Sequence, residues 1–323
     1  MRILVLGSTG YLGGHIAERL HALPGVRLLR GGRAPSDDLR VDLAHMTPAA
    51  LAEQLARAEP DAVVNCVGAV GGSPLTLAET NSRGPAALCE AMRSAAPGAR
   101  LVHLGSAAEY GPTGMGVRTA EDAPARPVAP YGATKLAGTL AVVDAELDAL
   151  VLRVTNPVGP RAPRAGLPGR LTAELARAVA HTPHATVQVG DLSAYRDFVD
   201  VRDVARAVAL AVALPKRLPR LLNVGSGKAV PVRDLVHGLV GAAGFTGRVE
   251  ESLGKVGRSL AVPWQCADIG AAERELGWTP VHSLRDSVRA LWLSDGAPRA
   301  RPEGPEDAGG GSSRLTSTGG DPR

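Results

Sequence analysis

A short apolar run that passes through spaced glycines into a helix constrains the start of this chain more than any other feature. Residues 2–6 read RILVL, and Gly7-Ser-Thr-Gly10-Tyr-Leu-Gly13 precedes the amphipathic stretch GGHIAERLHAL. Glycines at these positions permit a tight turn and let backbone N–H groups at the helix N-terminus approach a pyrophosphate. Because the chain has 39 glycines, a purely structural turn is the alternative. The flanking strand and helix favour a dinucleotide site.

Further strand-like segments alternate with helical periodicity up to about residue 154. They read VRLLR, AVVNCVG, RLVHLGS and ALVLRV. Thr47 followed by Pro48 marks the start of one intervening helix, and Pro60 ends it. This alternation is typical of βαβ units, so the sequence predicts an α/β protein with a Rossmann-type, doubly wound parallel sheet.

The composition of the sequence changes after residue 156, where the Gly/Pro-rich segment GPRAPRAGLPG begins a region of shorter predicted helices. We predict a large domain over 1–156, a smaller lobe over 157–293 with some strands returning to the main sheet, and a disordered tail over 294–323. The tail lacks apolar residues to bury. Helices are predicted in the lobe at about 170–181, 201–214, 231–242, 268–276 and 283–293.

Charge, cysteine content and hydropathy exclude several classes of protein. The net charge is +4, from 36 basic and 32 acidic residues without a long basic run, so we expect no nucleic-acid binding. Cys66, Cys89 and Cys266 are too scattered for a disulfide framework or a thiolate metal site, which favours a reducing cytoplasm. Since no apolar stretch approaches the roughly 20 residues of a membrane span, we expect a soluble protein without a bound metal.

A tyrosine and a lysine stand four residues apart at the start of a predicted helix. The segment YGATK places the Tyr131 phenol and the Lys135 ammonium on one helix face, one turn apart. An ordinary phenol has a pKa near 10, which the ammonium and an oxidised nicotinamide would lower, so Tyr131 is a candidate general acid/base. Ser106 ends the strand RLVHLGS, where its hydroxyl either hydrogen-bonds a substrate oxygen or forms a turn.

The second strand indicates which dinucleotide is used. It ends LRGGR without the acidic residue that binds the adenosine ribose in many NAD sites. Arg30 and Arg33 are suited to pair with a ribose 2'-phosphate, which favours NADP(H) over NAD(H), although solvated loop arginines are the alternative. Asp42 is positioned to accept from the adenine amino group or to cap a helix.

Together these motifs resemble those of the extended short-chain dehydrogenases/reductases, the group of nucleotide-sugar epimerases, dehydratases and ketoreductases. The resemblance runs from Gly7 to about Trp292 and includes Asn81 in TNSRG. Its other segments are GSTGYLG, VDL, VVNCVG, SAAEYG, YGATK, RVTNPVGP, YRDFVDVRDVARAV, LLNVGSGKAVPVRDLV and ADIGAAERELGWTP.

The resemblance implies roles for individual residues, with the NAD(P) site in 1–156 and the nucleotide-sugar site mainly in 157–293. Ser106, Tyr131 and Lys135 match the catalytic trio, and Lys135 would also hold the nicotinamide ribose. Substrate contacts are expected from Ser106, Asn156, Arg196 and Arg258, the two arginines holding the diphosphate. Cofactor contacts are expected from Gly7, Thr9, Gly10, Tyr11, Leu12, Gly13, Arg30, Arg33, Asp42, Leu43, Cys66, Val67, Gly68, Asn81, Tyr131 and Lys135.

Two departures from the family narrow the chemistry. Dehydratases of this group carry an Asp-Glu pair directly after the catalytic hydroxyl, and 3,5-epimerase/reductases carry a Cys two residues after it, whereas this chain has Ala107 and Ala108. What remains is chemistry that needs a hydride and one proton.

Our first interpretation is NADPH-dependent reduction of the 4-keto group of a nucleoside-diphosphate-4-keto-6-deoxyhexose, in deoxysugar biosynthesis. The alternatives are a nucleotide-sugar 4-epimerase with tightly bound NAD, a non-catalytic NAD(P)-binding regulator, and a reductase of a ketone without a nucleotide. The resemblance also implies a homodimer that pairs helices near 77–95 and 131–147.

Overall fold

The computed structural model describes residues 1–182, 184–252 and 262–297. Its strands are β1 Arg2–Leu6, β2 Arg27–Gly32, β3 Leu39–Arg40, β4 Ala62–Asn65, β5 Arg100–Ser106, β6 Ala149–Val154, β7 Asn156–Val158, β8 Thr186–Val189, β9 Tyr195–Asp200, β10 Leu221–Val224, β11 Ala229–Pro231 and β12 Arg248–Glu251. A sheet of seven parallel strands in the order β3-β2-β1-β4-β5-β6-β10 forms the centre. This is the order of a doubly wound dinucleotide-binding fold with a strand added beside β6, so the predicted fold class is confirmed.

Helices cover both faces of the sheet, and those of the second half agree with the predicted ranges to within about one turn. They are α1 Tyr11–His21, α2 Pro48–Ala58, α3 Pro74–Ala78, α4 Gly84–Ala95, α5 Pro130–Asp144, α6 Leu167–His181, α7 Val201–Ala213, α8 Val232–Ala243, α9 Gly270–Leu276 and α10 Leu284–Leu291, with π-helical turns at Glu79–Arg83 and Trp292–Gly296.

The strand side chains alternate between two separate cores. In β1, Ile3 and Val5 point into the core under α1 and α7, whereas Leu4 and Leu6 point into the core under α2 and α4. All four side chains are at most 1% exposed. Because both faces of a parallel sheet are covered, its strands read as continuous apolar runs, which is the pattern that the sequence has.

The second lobe packs around its own core of residues from α6, α8 and α10. It contains the three-stranded sheet β11-β9-β7 and the parallel pair β8 and β12. Between these elements β10 returns to the main sheet, where Leu221 pairs with Val151 of β6.

The predicted disordered tail begins too early in the sequence. Ser294 lies within the described turn Trp292–Gly296, which stays ordered because Leu291 and Trp292 are buried in the core of the lobe. The remaining tail, 298–323, lies outside the described residues.

A buried aspartate ties the end of the second lobe to α7. Asp203 is fully buried and accepts backbone N–H groups of Val281 at 3.0 Å and His282 at 2.9 Å. Its other oxygen pairs with Arg206 at 2.8 Å. A carboxylate in this position satisfies two loop donors and a cation at once.

We expect Asp203→Ala to lower the free energy of unfolding by about 3 kcal/mol, because it leaves the two loop N–H groups without an acceptor and Arg206 without its ion-pair partner. Urea denaturation measures the change. The exposed Asp234→Ala in the first turn of α8 serves as control and should change stability by less than about 0.5 kcal/mol. Equal stability of the two variants would contradict this account.

Candidate active site

The glycine turn after β1 leaves the N-terminus of α1 open. Gly7 has φ +77°, which favours glycine, and a Cβ on Gly13 would lie 2.0 Å from the Gly7 carbonyl oxygen. Gly10 is the N-cap, no side chain caps the helix, and its first turn carries no acidic residue. The first N–H groups of α1 are therefore donors available to an anion.

A cavity of about 430 Å³ lies against this helix end. Thr9, Gly10 and Tyr11 line it together with Arg30 and Arg161, whereas Leu12 packs against the core. Arg161 reaches it from the segment after β7 and is paired with Glu18 of α1, which sequence reasoning missed because the two are remote in the chain. The open helix end, the volume and the Arg30 side chain fit a dinucleotide.

The end of β2 is not free of acid, contrary to the sequence-based expectation. Asp37 accepts the Ala34 N–H with its Oδ2 at 2.9 Å, and a Cβ on Gly32 would lie 2.6 Å from that oxygen. Asp37 lines the same cavity as Arg30. Sequence reasoning missed this carboxylate because it lies beyond the strand and a turn brings it back.

Arg33 and Asp42 lie farther along this edge. Arg33 is exposed, and Asp42 accepts the Ala44 N–H and pairs with His45 at 3.0 Å. Partial burial raises the pKa of Asp42, but the hydrogen bond and charge of His45, with Arg33, hold it below the ordinary value. Asp42 thus stabilises a turn ahead of α2, whose N-cap is Thr47.

Asn81 holds the loop that follows β4 against α5 through hydrogen bonds of its side chain. Asn81 is fully buried, its Oδ1 accepts the Ala69 N–H, and its Nδ2 donates to the Ala69 carbonyl and to Thr134 of α5. A Cβ on Gly68 would lie 3.5 Å from Asn81 Oδ1 and 4.0 Å from Lys135 Nζ. Asn81 therefore positions the β4 loop, because its amide is occupied by protein partners.

The side chains of three other predicted cofactor residues lie in or near the core. Leu43 is buried, Val67 packs against the core, and Cys66 is partly exposed.

Helix α5 approaches the end of β5 closely enough to bring the predicted trio together. A Cβ on Gly132 would lie 2.4 Å from the Ala108 carbonyl oxygen, and one on Gly138 would lie 2.0 Å from that of Asn81. This close contact lets the Tyr131 phenol hydrogen-bond with Ser106.

Burial shifts the pKa of both Tyr131 and Lys135. Burial raises the pKa of Tyr131, while its hydrogen bond with Ser106 opposes the rise and Glu109 adds to it. The lowering expected from Lys135 is not found, since burial dominates and the Lys135 ammonium donates to the Leu104 carbonyl. Burial also lowers the pKa of Lys135 to about 8, against the opposing charge of Glu109.

A buried ion pair supports the serine. Glu109 accepts the Ser106 N–H with Oε1 at 2.7 Å, and its Oε2 accepts from Arg153 Nε at 2.7 Å. The Arg153 guanidinium lies 4.4 Å from the centre of the Tyr110 ring. Glu109 is fully buried. It fixes the backbone of Ser106 and supplies negative charge near Lys135, a role that the motif SAAEYG did not reveal.

A second cavity, of about 420 Å³, lies beside the trio. Ser106 and Tyr131 line it together with Asn156, Arg196 and Gln265. Asn156 Nδ2 donates to the Gln265 Oε1 at 2.7 Å and to the Asp197 carbonyl at 3.0 Å. Gln265 was missed, since nothing in its sequence neighbourhood marks it. The predicted substrate residue Arg258 lies outside the described residues.

Arg196 is a half-buried cation in this cavity. Its guanidinium donates to the neighbouring Tyr195 carbonyl at 2.8 Å, and no carboxylate of the described residues forms an ion pair with it. Burial lowers the pKa of Arg196, and no charged neighbour in the described ranges opposes this. A desolvated guanidinium that has a single carbonyl acceptor and no acidic partner among the described residues favours an anionic ligand.

In the part of the chain that the structure describes, no group of three His, Cys, Asp or Glu side chains is arranged to hold a metal ion. No helix there is both long and apolar enough to cross a membrane.

The low pKa of Lys135 predicts a pH-dependent stability. Between about pH 8 and the ordinary pKa of lysine, Lys135 keeps its proton in the unfolded chain and loses it in the folded one. Its unfavourable contribution to the free energy of folding therefore becomes smaller as the pH rises through this range. We expect Lys135→Met to raise the free energy of unfolding at pH 7 by about 3 kcal/mol, a gain that shrinks above pH 8.

Urea denaturation at several pH values tests this, with the exposed Lys228→Met as matched control. A pH-independent effect of Lys135→Met, or the same effect in both variants, would show that the ammonium is not destabilised by burial.

Known proteins match most of the chain, and three of them illustrate what it is similar to. A dTDP-6-deoxy-L-talose 4-dehydrogenase (NAD(P)(+)) from Kitasatospora kifunensis is 37% identical over 303 residues, covering 91% of this chain and 95% of that protein. UDP-glucose 4-epimerase from Thermus thermophilus, solved with NAD, has a TM-score of 0.76 at 26% identity, over 90% of this chain and 97% of that one. RMD from Pseudomonas aeruginosa, solved with NADPH, has a TM-score of 0.79 over 91% of this chain and 98% of that one, and its 22% identity supports the fold alone.

Residues 3–225 match the family described as NAD dependent epimerase/dehydratase. That segment contains the glycine turn, the trio and the cation of the second cavity. The resemblance to extended short-chain dehydrogenases/reductases is therefore confirmed, and the chain belongs to the NAD-dependent epimerase/dehydratase family.

Proposed function

We propose that this chain is an NAD(P)H-dependent ketoreductase that reduces the 4-keto group of a nucleoside-diphosphate-4-keto-6-deoxyhexose, a step of deoxysugar biosynthesis. The observation that carries the proposal is a single cavity that contains Ser106, Tyr131 and Arg196, a cation with no acidic partner among the described residues. A proton donor for the carbonyl and a cation for the diphosphate are the groups that this substrate requires.

Arg196 is the group in this cavity that binds the diphosphate. A ligand phosphate would replace the water that the guanidinium has lost and form charge-assisted hydrogen bonds with it. Asn156 and Gln265 offer polar groups beside it, and Phe198 and Leu235 add apolar wall. This combination suits a ligand with a diphosphate between a base and a sugar.

Tyr131 is the proton donor. Reduced nicotinamide, when bound, supplies the hydride. Tyr131 gives its phenolic proton to the C4 oxygen, and because burial raises its pKa the phenol remains protonated at neutral pH. Ser106 hydrogen-bonds the same oxygen from the end of β5, and Lys135 places an ammonium on the same face of α5 as the phenol.

The wall of the second cavity argues against elimination of water. Among its described lining residues there is no carboxylate, and Ala108 lines it where dehydratases of this group carry acid. Reduction of a ketone needs no further acid or base beyond Tyr131.

The relative from Kitasatospora kifunensis supports chemistry at C4. Its name gives oxidation at C4 of a dTDP-6-deoxyhexose, and reduction of a 4-ketone is the reverse of that step. Its name also gives both NAD and NADP as cofactors. We propose NADPH as the reductant, since Arg30 lines the first cavity.

The second candidate is a nucleotide-sugar 4-epimerase with tightly bound NAD. Asp37 at the end of β2 favours it, because an acid at this position suits an unphosphorylated ribose. The Thermus thermophilus epimerase was solved with NAD. An epimerase would use the same trio and return the hydride to the opposite face of the ketone.

We also propose that the protein acts in the cytoplasm as a homodimer that pairs α4 and α5 with those of a second copy. Leu140, on α5, has a side chain that is 57% exposed.

The ketoreductase proposal predicts NADPH consumption with thymidine-diphosphate-4-keto-6-deoxyglucose, followed by the absorbance of the reduced nicotinamide. Tyr131→Phe removes the proton donor and should lower kcat by about 10²–10⁴-fold. Arg196→Met should raise the KM for the nucleotide sugar about tenfold or more and leave the KM for NADPH unchanged.

Arg57→Met, an exposed arginine of α2, is the control for the loss of one positive charge and should keep wild-type kinetics. If NADPH is not consumed and denaturation releases NAD from the purified protein, the epimerase is correct and the reductase is wrong.

A further inference from the structure

Two buried polar atoms lie unpaired in the layer between β5 and α5. Among the described residues, neither His103 Nε2 nor Thr139 Oγ1 has a hydrogen-bond partner. His103 is fully buried and Thr139 is 1% exposed. A buried polar group without a partner costs free energy comparable to a lost hydrogen bond, so two of them in one layer require a physical explanation.

Both side chains face the same layer of the protein. On β5, Leu101 packs in the core under α2 and α4, and His103, two residues later, points to the same side of the strand. On α5, Val142 packs in that same core, and Thr139 lies one turn before it on the same helix face. Lys135 lies one further turn towards the start of the helix, so the imidazole, the hydroxyl and the ammonium share this layer.

The contacts of Asn65 fix which nitrogen of His103 carries the proton. Asn65 Oδ1 accepts the Val67 N–H at 3.0 Å, so its Nδ2 is the atom that lies 3.1 Å from His103 Nδ1. Because an amide nitrogen donates, Nδ1 accepts and the neutral ring carries its proton on Nε2. Burial, with the charge of Lys135, lowers the pKa of His103 well below its ordinary value, so the ring is neutral at pH 7. His103 Nε2 is therefore a buried donor.

Lys135 has further donors in this layer. Among the described residues its Nζ donates to the Leu104 carbonyl, next to His103 in β5, and an ammonium has three donors. Lys135 is 4% exposed, so bulk water does not reach the others freely. A donor on His103, donors on Lys135 and a hydroxyl that both accepts and donates thus surround one buried region.

We propose that His103 and Thr139 form a buried hydration site beside Lys135, and that both are positioning residues for its ammonium. One water molecule accepts from His103 Nε2 and from Lys135 Nζ and donates to Thr139 Oγ1. These are three polar partners, which is the usual number for a buried water. The water gives the ammonium a second acceptor besides the Leu104 carbonyl. Its functional meaning rests on the proposed role of Lys135 in ketone reduction.

The charged and titratable groups that face Lys135 come from α5 itself and from three neighbouring strands. Glu109, after β5, is the nearby negative charge, and Arg153 of β6 pairs with it at 2.7 Å. Cys66, after β4, is un-ionised at neutral pH because burial raises the pKa of its thiol to about 12. Burial likewise raises the pKa of Tyr131 on α5, which keeps that phenol protonated.

The titratable side chains of the neighbouring helices point elsewhere. In the π-helical turn, Glu79 lies 3.7 Å from His45, and Arg83 donates to the carbonyls of residues 44 and 46. The acidic and basic side chains of α4 are exposed, and burial raises the pKa of its thiol, Cys89, to about 11. Asp144 is exposed at the far end of α5. The hydration site therefore acts on an ammonium whose charged neighbour is Glu109.

The water has an effect of definite sign on Lys135. Because it accepts from the ammonium, it stabilises the protonated form and opposes the effect of burial. Thr139→Val removes the hydroxyl and keeps the side-chain volume, so the water loses a partner and the pKa of Lys135 should fall. In the folded protein this makes the buried ammonium more destabilising at neutral pH, and the difference disappears once Lys135 has lost its proton.

The test compares Thr139→Val with the wild type in two measurements. Urea denaturation at about pH 7 and at about pH 9.5 reports the ionisation of Lys135 without any substrate. The variant should have a lower urea midpoint, with a larger loss at neutral than at alkaline pH. The second measurement is kcat for oxidation of NADPH by thymidine-diphosphate-4-keto-6-deoxyglucose against pH. Its basic limb should move to lower pH by about 0.5–1 pH unit in the variant.

Thr172→Val is the matched control. Thr172 is another buried helical threonine, 1% exposed, and its hydroxyl donates to the Pro168 carbonyl at 2.8 Å in the second lobe. Its valine variant should lose stability equally at both pH values and leave the basic limb where it is. In a His103→Phe background, Thr139→Val should no longer change the pH dependence, because both residues act through one water. If His103→Phe does not fold, Thr139→Val and its control decide the question.

Four outcomes would overturn the proposal. They are a higher urea midpoint in Thr139→Val, which would show that the hydroxyl is idle; an equal loss of stability at both pH values; the same pH dependence in Thr172→Val; and a full effect of Thr139→Val in folded His103→Phe. Failure of the proposed function looks different. If the urea results hold and no ketosugar is reduced, the hydration site stands and only the substrate is wrong.

Discussion

The buried carboxylate of Asp197 joins the two parts of this molecule. It accepts from the Ser226 N–H at 2.6 Å and hydroxyl at 2.7 Å, from the Gly227 N–H at 3.2 Å and from the Ala267 N–H at 3.1 Å. Burial raises the pKa of Asp197, and these donors oppose the rise. Thr155, at the junction of β6 and β7, also donates to it. One side chain thus fixes the end of β10, the start of the second lobe and the segment that carries Gln265, and it aligns both walls of the second cavity.

The candidate active site depends on charges that the fold has removed from water. Glu109 is fully buried and balanced by Arg153, and Lys135 is held in a buried position where its pKa falls to about 8. Burial of ionised groups is costly, so such an arrangement persists only when each charge has nearby partners. Glu109 has two, the Ser106 N–H and Arg153. The same physical rule makes Arg196 stand out, because its position in the cavity leaves it without an acidic partner among the described residues.

Local patterns allowed much of the site to be predicted. Each of these motifs is set by short-range geometry. The glycines of the turn are close together in the chain, Ser106 ends its strand, and Tyr131 and Lys135 lie one helical turn apart. The role of Asn81 was implied only by the resemblance, and that of Asp42 was left open between binding adenine and capping a helix. In the structure both side chains contact the backbone of the protein itself. Other contributions were not predicted. Asp37, Arg161 and Gln265 act through a turn or through distant segments, which leave no periodic signal in the sequence. Glu109 contacts Ser106 locally, in a capping box, but its ion pair is with Arg153, 44 residues away.

By itself the sequence determined the alternating strands and helices, the doubly wound sheet and the positions of the catalytic candidates, because hydrophobic periodicity and glycine spacing act over a few residues. Only the tertiary structure decided what surrounds those candidates. The position of the acid at the end of β2 depends on how a short turn folds back. The ion pair behind Ser106 and the surroundings of Arg196, which has no acidic partner among the described residues, depend on contacts between segments far apart in the chain. Such contacts set the dielectric surroundings and hence the chemistry of each charged group.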